Sequence, residues 1–274
     1  MLSRSIPSTG EQLPVIGLGT WRTFDVGRDE PARESLAEVL AEFVRLGGKV
    51  VDSSPMYGSA ETVVGDLVAA AGVGDQVFLA TKVWTTGKTK GVAEMEDSMR
   101  KLRAERVDLM QVHNLVDVAT HLRTLAEWKS AGRVRYVGIT HYTTSAHEKV
   151  AKLLQSHASI DFVQINYSAA EREAEKRVLP VARDRGVAVI VNRPFAEGGL
   201  LRRLARAPLP PFAAEIGCTS WSQLLLKFIV SHPAVTCAIP ATSDVEHLRD
   251  NMGAGEGALP DEEMRRRIVE AVVR

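Results

Sequence analysis

The strongest constraint on the fold of this chain is a rhythm. Apolar, β-branched runs begin near Val15, Val50, Val77, Val107, Val134, Phe162, Val187 and Thr236, most of them about 25 to 35 residues apart, with amphipathic stretches between. A strand followed by a helix, repeated, makes successive strands parallel and turns the helices into crossovers. Eight such units predict an α/β fold: a closed (β/α)₈ TIM barrel forming a single domain over residues 1–274. The competing open, doubly wound sheet would show a Gly-x-Gly-x-x-Gly turn after an early strand. Gly17-Leu-Gly19 runs into Thr20-Trp21 instead.

Helix boundaries are marked by local chemistry. Asp29-Glu30-Pro31 opens the first helix and Gly47-Gly48 ends it, with acid and proline at the start and glycine past the end. The pattern predicts further helices over 60–71, 92–102, 119–131, 173–185 and 220–231. Ser145-x-x-Glu148 and Ser243-x-x-Glu246 read as capping boxes for the fifth and eighth helices. Two stretches break the rhythm: a long connection over 193–219, rich in glycine and proline, and a charged tail over 260–274.

Composition excludes several partners. Lysine plus arginine and aspartate plus glutamate both total 34, so no charge excess advertises nucleic acid or an anionic membrane. No apolar run approaches the roughly 20 residues needed to span a bilayer. The start, Met1-Leu-Ser-Arg-Ser-Ile-Pro7, has no apolar leader core. Cys218 and Cys237, the only cysteines, lack metal-ligand spacing. The expectation is a cytoplasmic protein with no metal, a monomer or weak homo-oligomer, acting on a small molecule.

Three strands end in polar residues that scaffolding alone does not require. Val50-Val-Asp52 leads into Ser53-Ser-Pro-Met-Tyr57-Gly58; Phe78-Leu-Ala-Thr-Lys82 and Leu109-Met-Gln-Val-His113 follow. Neighbouring strands lie about 4.8 Å apart, so Asp52, Lys82 and His113 are expected side by side at one barrel mouth, with Tyr57 folding back over them. Singly, each has a structural explanation: an aspartate caps loops, a tyrosine plugs a barrel end. His121, His147, His157 and His232 are read that way, as core or surface residues. Together the four suit proton delivery. A phenol titrates near pH 10, and a neighbouring ammonium is expected to lower that value. Asp52 would hold Lys82 charged, and His113 would hydrogen-bond the oxygen that receives the proton. No side chain is placed to attack the carbon, which points to hydride from a cofactor.

The segments Gly17-Leu-Gly-Thr-Trp21, Asp52-x₄-Tyr57-Gly58, Thr81-Lys82-Val-Trp84, Val107-Asp-Leu-Met-Gln-Val-His113-Asn114, Val137-Gly-Ile-Thr140, Val163-Gln164 and Ile239-Pro240…Asn251 resemble, in order, those of aldo-keto reductases. The resemblance runs nearly the whole chain up to Asn251. It implies a barrel that reduces aldehydes or ketones with NADPH, NADH being the alternative, laid extended across the C-terminal face. It further implies Tyr57 as general acid, Lys82 lowering its pKa, Asp52 pairing the lysine and His113 orienting the carbonyl. Trp21, Met56 and Trp84 then line the substrate pocket beside Tyr57 and His113. Cofactor contacts are implied at Gly19, Thr20, Trp21 and Asp52, at Thr140, His141 and Gln164, and at Asn192, Arg193, Pro194, Phe195, Gly199 and Leu200. The last group comprises Ala241, Thr242, Ser243, His247 and Asn251.

The chain also departs from the family pattern. Thr140-His141 stands where Ser-Asn is common after strand five. Asn192-Arg193-Pro194-Phe195 replaces the usual aromatic platform under the nicotinamide, leaving either the flat guanidinium of Arg193 or another group to stack, with a surface ion pair the other reading of Arg193. The lysine and arginine that many members use on the 2′-phosphate fall at Ala241 and His247. Thr242 and Ser243 remain there, at a helix N-terminus whose N–H groups favour an anion. Arg202, Arg203 and Arg206 lie within reach in the long loop. The shortened C-terminal extension predicts an open, shallow pocket of broad carbonyl tolerance. Two other functions compete: a Schiff-base aldolase using Lys82, and a cofactor-binding regulatory subunit with a reductase fold.

Overall fold

The computed structural model describes residues 1–273. An antiparallel hairpin, β1 (Ser3–Ser5) and β2 (Gln12–Pro14), precedes a curled parallel sheet. That sheet holds β3 (Leu18–Gly19), β4 (Val50–Asp52), β5 (Phe78–Val83), β6 (Val107–His113), β7 (Val134–Thr140), β8 (Phe162–Asn166), β9 (Ala188–Asn192) and β10 (Cys237–Ala238). The eight strands neighbour one another in sequence order. Bridges Ile16 to Ala238 and Gly19 to Ala241 close β10 against the first strand. The barrel is complete, and it carries an N-terminal hairpin that the sequence rhythm did not show.

Register explains where side chains emerge. Asp52 lies level with Ala80, Lys82 with Gln111, and His113 with Thr140 and, through it, Gln164. Each functional residue therefore stands two residues further along its strand than the residue level with its predecessor. The three are not side by side, as flat neighbouring strands would place them. They climb around the barrel wall, and Lys82 must reach back to meet Asp52.

Alternation fills the inside. Val50, Phe78, Ala80, Leu109, Tyr136, Phe162, Ala188, Ile190, Cys237 and Ile239 pack as one buried cluster within the barrel, together with Ile6 and Leu13 from the hairpin. The hairpin thus contributes an apolar floor. Its strands are too short for a period-two signal, so nothing in the sequence set them apart. A second, larger cluster lies between the strands' outer faces and the helices.

The helices are α1 (Glu30–Arg45), α2 (Ala60–Ala71), α3 (Lys88–Lys101), α4 (Val118–Ser130), α5 (His147–Ser156), α6 (Val178–Asp184), α7 (Gly199–Leu204), α8 (Trp221–Val230), α9 (Val245–Gly253) and α10 (Glu262–Val273). Asp29 caps α1 through Ala32 N–H, and Ser220 caps α8 through Gln223 N–H. Both predicted capping boxes fail to form. Ser145 Oγ bonds Thr143 instead, within a 3₁₀ turn over Thr144–Ala146. At α9 the cap is Asp244, whose carboxylate accepts from His247 N–H at 2.8 Å. The long connection after β9 forms α7 and a 3₁₀ segment, Pro211–Ile216. Buried Lys227 of α8 ties this connection to the segment after α9, donating to the carbonyls of Ile216, Glu256 and Ala258.

Gly65 of α2 sits where α2 crosses the end of α3: a Cβ there would overlap the carbonyl of Lys101 and the backbone of Leu102. Alanine is the better helix former, so helix propensity and packing predict opposite signs. Packing should win, with Gly65→Ala losing on the order of 1–3 kcal/mol by chemical denaturation. An unchanged or raised midpoint would show that α2 does not need the close approach.

Candidate active site

The site begins with a buried ion pair. Asp52 ends β4 and Lys82 lies one residue before the end of β5, with exposures of 2 and 0 %. Lys82 Nζ donates to Asp52 Oδ2 and to the Ser53 carbonyl, each at 2.6 Å. Burial disfavours the ammonium, but Asp52, with Tyr57 beside it, more than offsets this and raises its pKa above the ordinary lysine value. The other carboxylate oxygen of Asp52 accepts from Gln164 Nε2 at 2.8 Å and from Gln111 Nε2 at 3.1 Å. Because a carboxylate only accepts, these contacts fix which end of each amide points inward.

Tyr57 is held over this pair by its loop. Its N–H donates to the Ser54 carbonyl at 3.0 Å, and its own carbonyl accepts from Ala60 N–H at the start of α2. Gly58 takes φ of 60°, and the Asp25 carboxylate occupies the space where a side chain would stand. That carboxylate accepts from Ser59 N–H at 2.8 Å, which locks the turn. The Lys82 ammonium lies 5.0 Å from the centre of the Tyr57 ring, close enough for its charge to act on the hydroxyl.

The acidity of this phenol differs from the sequence expectation. Although part of the ring opens to the cleft, protein crowds the hydroxyl, and burial pushes its pKa above 10. Lys82 pulls it down, as expected, but Asp52 adds a further upward push. In the resting site desolvation wins. The phenol stays protonated well past neutral pH.

His113 ends β6 at 5 % exposure. Its Nδ1 lies 3.0 Å from Ser54 Oγ. Tyr57 packs edge-on to the ring at 6.0 Å between centres, and Trp84 tilts against it at 6.2 Å. Burial first, then the Lys82 ammonium and His141, push its pKa down to about 2. The imidazole is neutral at any physiological pH.

Above these groups lies a cleft of about 790 Å³. Its walls include Gly19, Thr20, Trp21, Asp52, Met56, Tyr57, Trp84, His113, Thr140, Gln164, Asn192, Arg193, Pro194, Phe195, Ala241, Thr242, His247 and Asn251. Lys82 stays behind Tyr57. Of the remaining residues singled out from the sequence, the structure leaves His141, Gly199, Leu200 and Ser243 out of the wall. His141 serves its own loop: Nδ1 accepts from the N–H groups of Tyr142 and Thr143, and the ring stacks on Tyr142. Gly199 and Leu200 begin α7. Ser243 gives its carbonyl to Ser35 Oγ, and Asp244, not Ser243, fills the anion-favouring start of α9.

Arg193 is committed as well. Its guanidinium donates to the Tyr142 carbonyl at 3.0 Å, lies 5.7 Å from that ring's centre, and sits 3.5 Å from the Glu197 carboxylate. Sequence reasoning missed Gln111, Ser54 and Tyr142. Gln111 did carry a signal, since it shares the inward parity of Leu109 and His113 on β6. Tyr142 follows a strand end and carried none. Among the described residues no cluster of His, Cys, Asp or Glu has metal-site geometry, and no helix is long and apolar enough to cross a membrane.

The sequence profile of the Aldo/keto reductase family matches residues 15–271. The chain belongs to this family. Methylglyoxal reductase YeaE of Escherichia coli (strain K12) is 28% identical over 272 residues, covering 96% of this chain and 93% of that protein. Methylglyoxal reductase DkgB of Yersinia pestis is 26% identical over 251 residues, covering 88% and 86%. Among solved structures, an aldo/keto reductase from Klebsiella pneumoniae in complex with NADP and acetate superposes with a TM-score of 0.84 at 24% identity, covering 98% of this chain and 95% of that one. The thermostable aldo-keto reductase Tm1743, solved with the inhibitor epalrestat, has a TM-score of 0.80 at 26% identity, covering 99% and 100%.

The depressed pKa of His113 in this family member has a measurable consequence. The unfolded histidine titrates near 6.5 and the folded one near 2. Between these values the unfolded chain binds more protons, so stability from this group is full above pH 6.5 and is lost as pH falls. His113→Gln removes that share. Its unfolding free energy should fall less steeply with acid than wild type, by up to about 1.4 kcal/mol per pH unit. Equal slopes in denaturant titrations across that window would contradict a neutral, buried imidazole.

Proposed function

We propose that the chain reduces aldehydes and ketones to alcohols, with NADPH as the hydride donor and Tyr57 as the acid. The observation that carries the roles is the single cluster of Tyr57, Lys82, Asp52 and His113 at the floor of one large cleft. The cleft walls suit a nicotinamide dinucleotide. Asn114 and Asn192 both stand in these walls, and the amide oxygen of each has no hydrogen-bond partner among the described residues. Gly19 runs against the Ile239 carbonyl with no room for a Cβ, which leaves bare backbone at one wall.

When bound, the nicotinamide supplies hydride to the carbonyl carbon. Tyr57 gives its hydroxyl proton to the carbonyl oxygen. The phenolate that develops lies beside the Lys82 ammonium, so stabilisation by that charge grows as the proton leaves. His113 donates a hydrogen bond to the same oxygen, and Trp21, Met56 and Trp84 present apolar surface to the rest of the substrate. Asp52 holds the lysine charged and in place. The Schiff-base reading needs a free amine at Lys82. That nitrogen instead has a raised pKa and is engaged by Asp52 and the Ser53 carbonyl.

The test is loss of reduced-nicotinamide absorbance over a carbonyl panel that includes methylglyoxal. Tyr57→Phe should lower kcat by about 10²–10⁴, while NADPH binding, followed by quenching of protein fluorescence, stays near the wild-type value. A variant that turns over as wild type does would remove Tyr57 from the role of acid. Tight NADPH binding with no turnover of any carbonyl would favour the regulatory subunit.

A further inference from the structure

Ser54 lies in the turn between β4 and Tyr57 and is fully buried, at 0 % exposure. Its hydroxyl oxygen accepts from Met56 N–H at 3.3 Å and stands 3.0 Å from His113 Nδ1. No other acceptor for its proton is within hydrogen-bond reach among the described residues. The imidazole it faces is clamped: β6 fixes its backbone, and the rings of Tyr57 and Trp84 flank it. Its other nitrogen, Nε2, makes no protein hydrogen bond among the described residues, and His113 lines the cleft.

A neutral imidazole carries one proton, on Nδ1 or on Nε2. Were it on Nδ1, that N–H would donate to Ser54 Oγ, and Oγ would then accept from both Nδ1 and Met56. The hydroxyl proton would be left buried with nothing to bind, at substantial cost. With the proton on Nε2, Oγ accepts from Met56 and donates to Nδ1, and both the Ser54 hydroxyl and Nδ1 are satisfied.

We propose that Ser54 is a positioning residue that sets the tautomer of His113, placing its proton on Nε2 where it faces the cleft. Ser54 touches no reacting atom and acts only through the ring. The consequence for turnover rests on the reading that His113 hydrogen-bonds the substrate oxygen. In the wrong tautomer the ring would present a lone pair to that oxygen and repel it.

The test reads the tautomer directly. In wild-type enzyme labelled with ¹⁵N-histidine, two-bond ¹H–¹⁵N correlations of His113 should show Nδ1 unprotonated and Nε2 protonated at neutral pH. In Ser54→Ala that pattern should give way to a mixture or to protonated Nδ1. In the same variant kcat/KM for a carbonyl should fall about tenfold, with the dissociation constant for NADPH unchanged. Protonated Nδ1 in the wild type overturns the proposal, and this spectrum decides even if Ser54→Ala does not fold. An unchanged pattern in a folded Ser54→Ala overturns it too, whatever the rate does, because a slower enzyme with the same tautomer would mean that Ser54 only packs. If the wild type shows protonated Nε2 and Ser54→Ala loses it, while neither reduces any carbonyl, the tautomer assignment is supported and the reductase reading fails separately.

Discussion

Everything at the barrel mouth depends on one buried ion pair, Lys82 with Asp52. Burying two charges is costly, and removing one partner from such a pair leaves the other stranded, at about 3–5 kcal/mol. The protein compensates by saturating both. Asp52 receives Lys82, Gln111 and Gln164; Lys82 meets Asp52, the Ser53 carbonyl and Tyr57. Four strands contribute to this network, β4, β5, β6 and β8. The pair therefore fixes the relative height of the strands as well as the position of a phenol. Below it the interior is apolar down to Ile6 and Leu13 of the hairpin. The polar layer rests on a dry base, which keeps the pair's field unscreened.

The stagger of the barrel makes this arrangement reachable. Because Lys82 stands two residues beyond the partner of Asp52, and His113 two beyond the partner of Lys82, these inward side chains spiral upward from Asp52 to Lys82 and Gln111 and then to His113. Lys82 is long enough to bend down to the acid, and its ammonium then lies under the Tyr57 ring. His113, one step higher, stands level with the phenol instead of the carboxylate.

Much of this was legible in the chain. Strand order, barrel closure and most helix spans follow from periodicity and from glycine or proline punctuation, which are local signals. The polar strand ends were legible for the same reason: Asp52, Lys82 and His113 each interrupt an apolar run at its C-terminal end. What escaped was non-local or competitive. The hairpin strands are too short to show a period. Ser243 lost the α9 cap to its neighbour Asp244, because either side chain satisfies the same N–H groups and the sequence does not rank them. Arg193 read as either a stacking group or an ion pair, and only its folded loop shows that Tyr142 and Glu197 hold it at the cleft wall. Ser54 reads as a turn serine, and only three dimensions bring it to His113.

The acidity of Tyr57 shows why the balance of two opposing effects could not be read in advance. The lysine was visible in the sequence and its pull on the phenol follows from charge alone. The burial that outweighs it depends on how the whole mouth closes around the hydroxyl. The outcome suits an acid better than the expectation did. A general acid must hold its proton until the substrate arrives, and desolvation of the phenol ensures this. It must also release that proton when charge develops on the substrate oxygen, and the fixed ammonium lowers the cost of the phenolate at that moment. Burial sets the resting state and Lys82 acts on the transition, so a raised phenol pKa and a catalytic lysine belong to the same design.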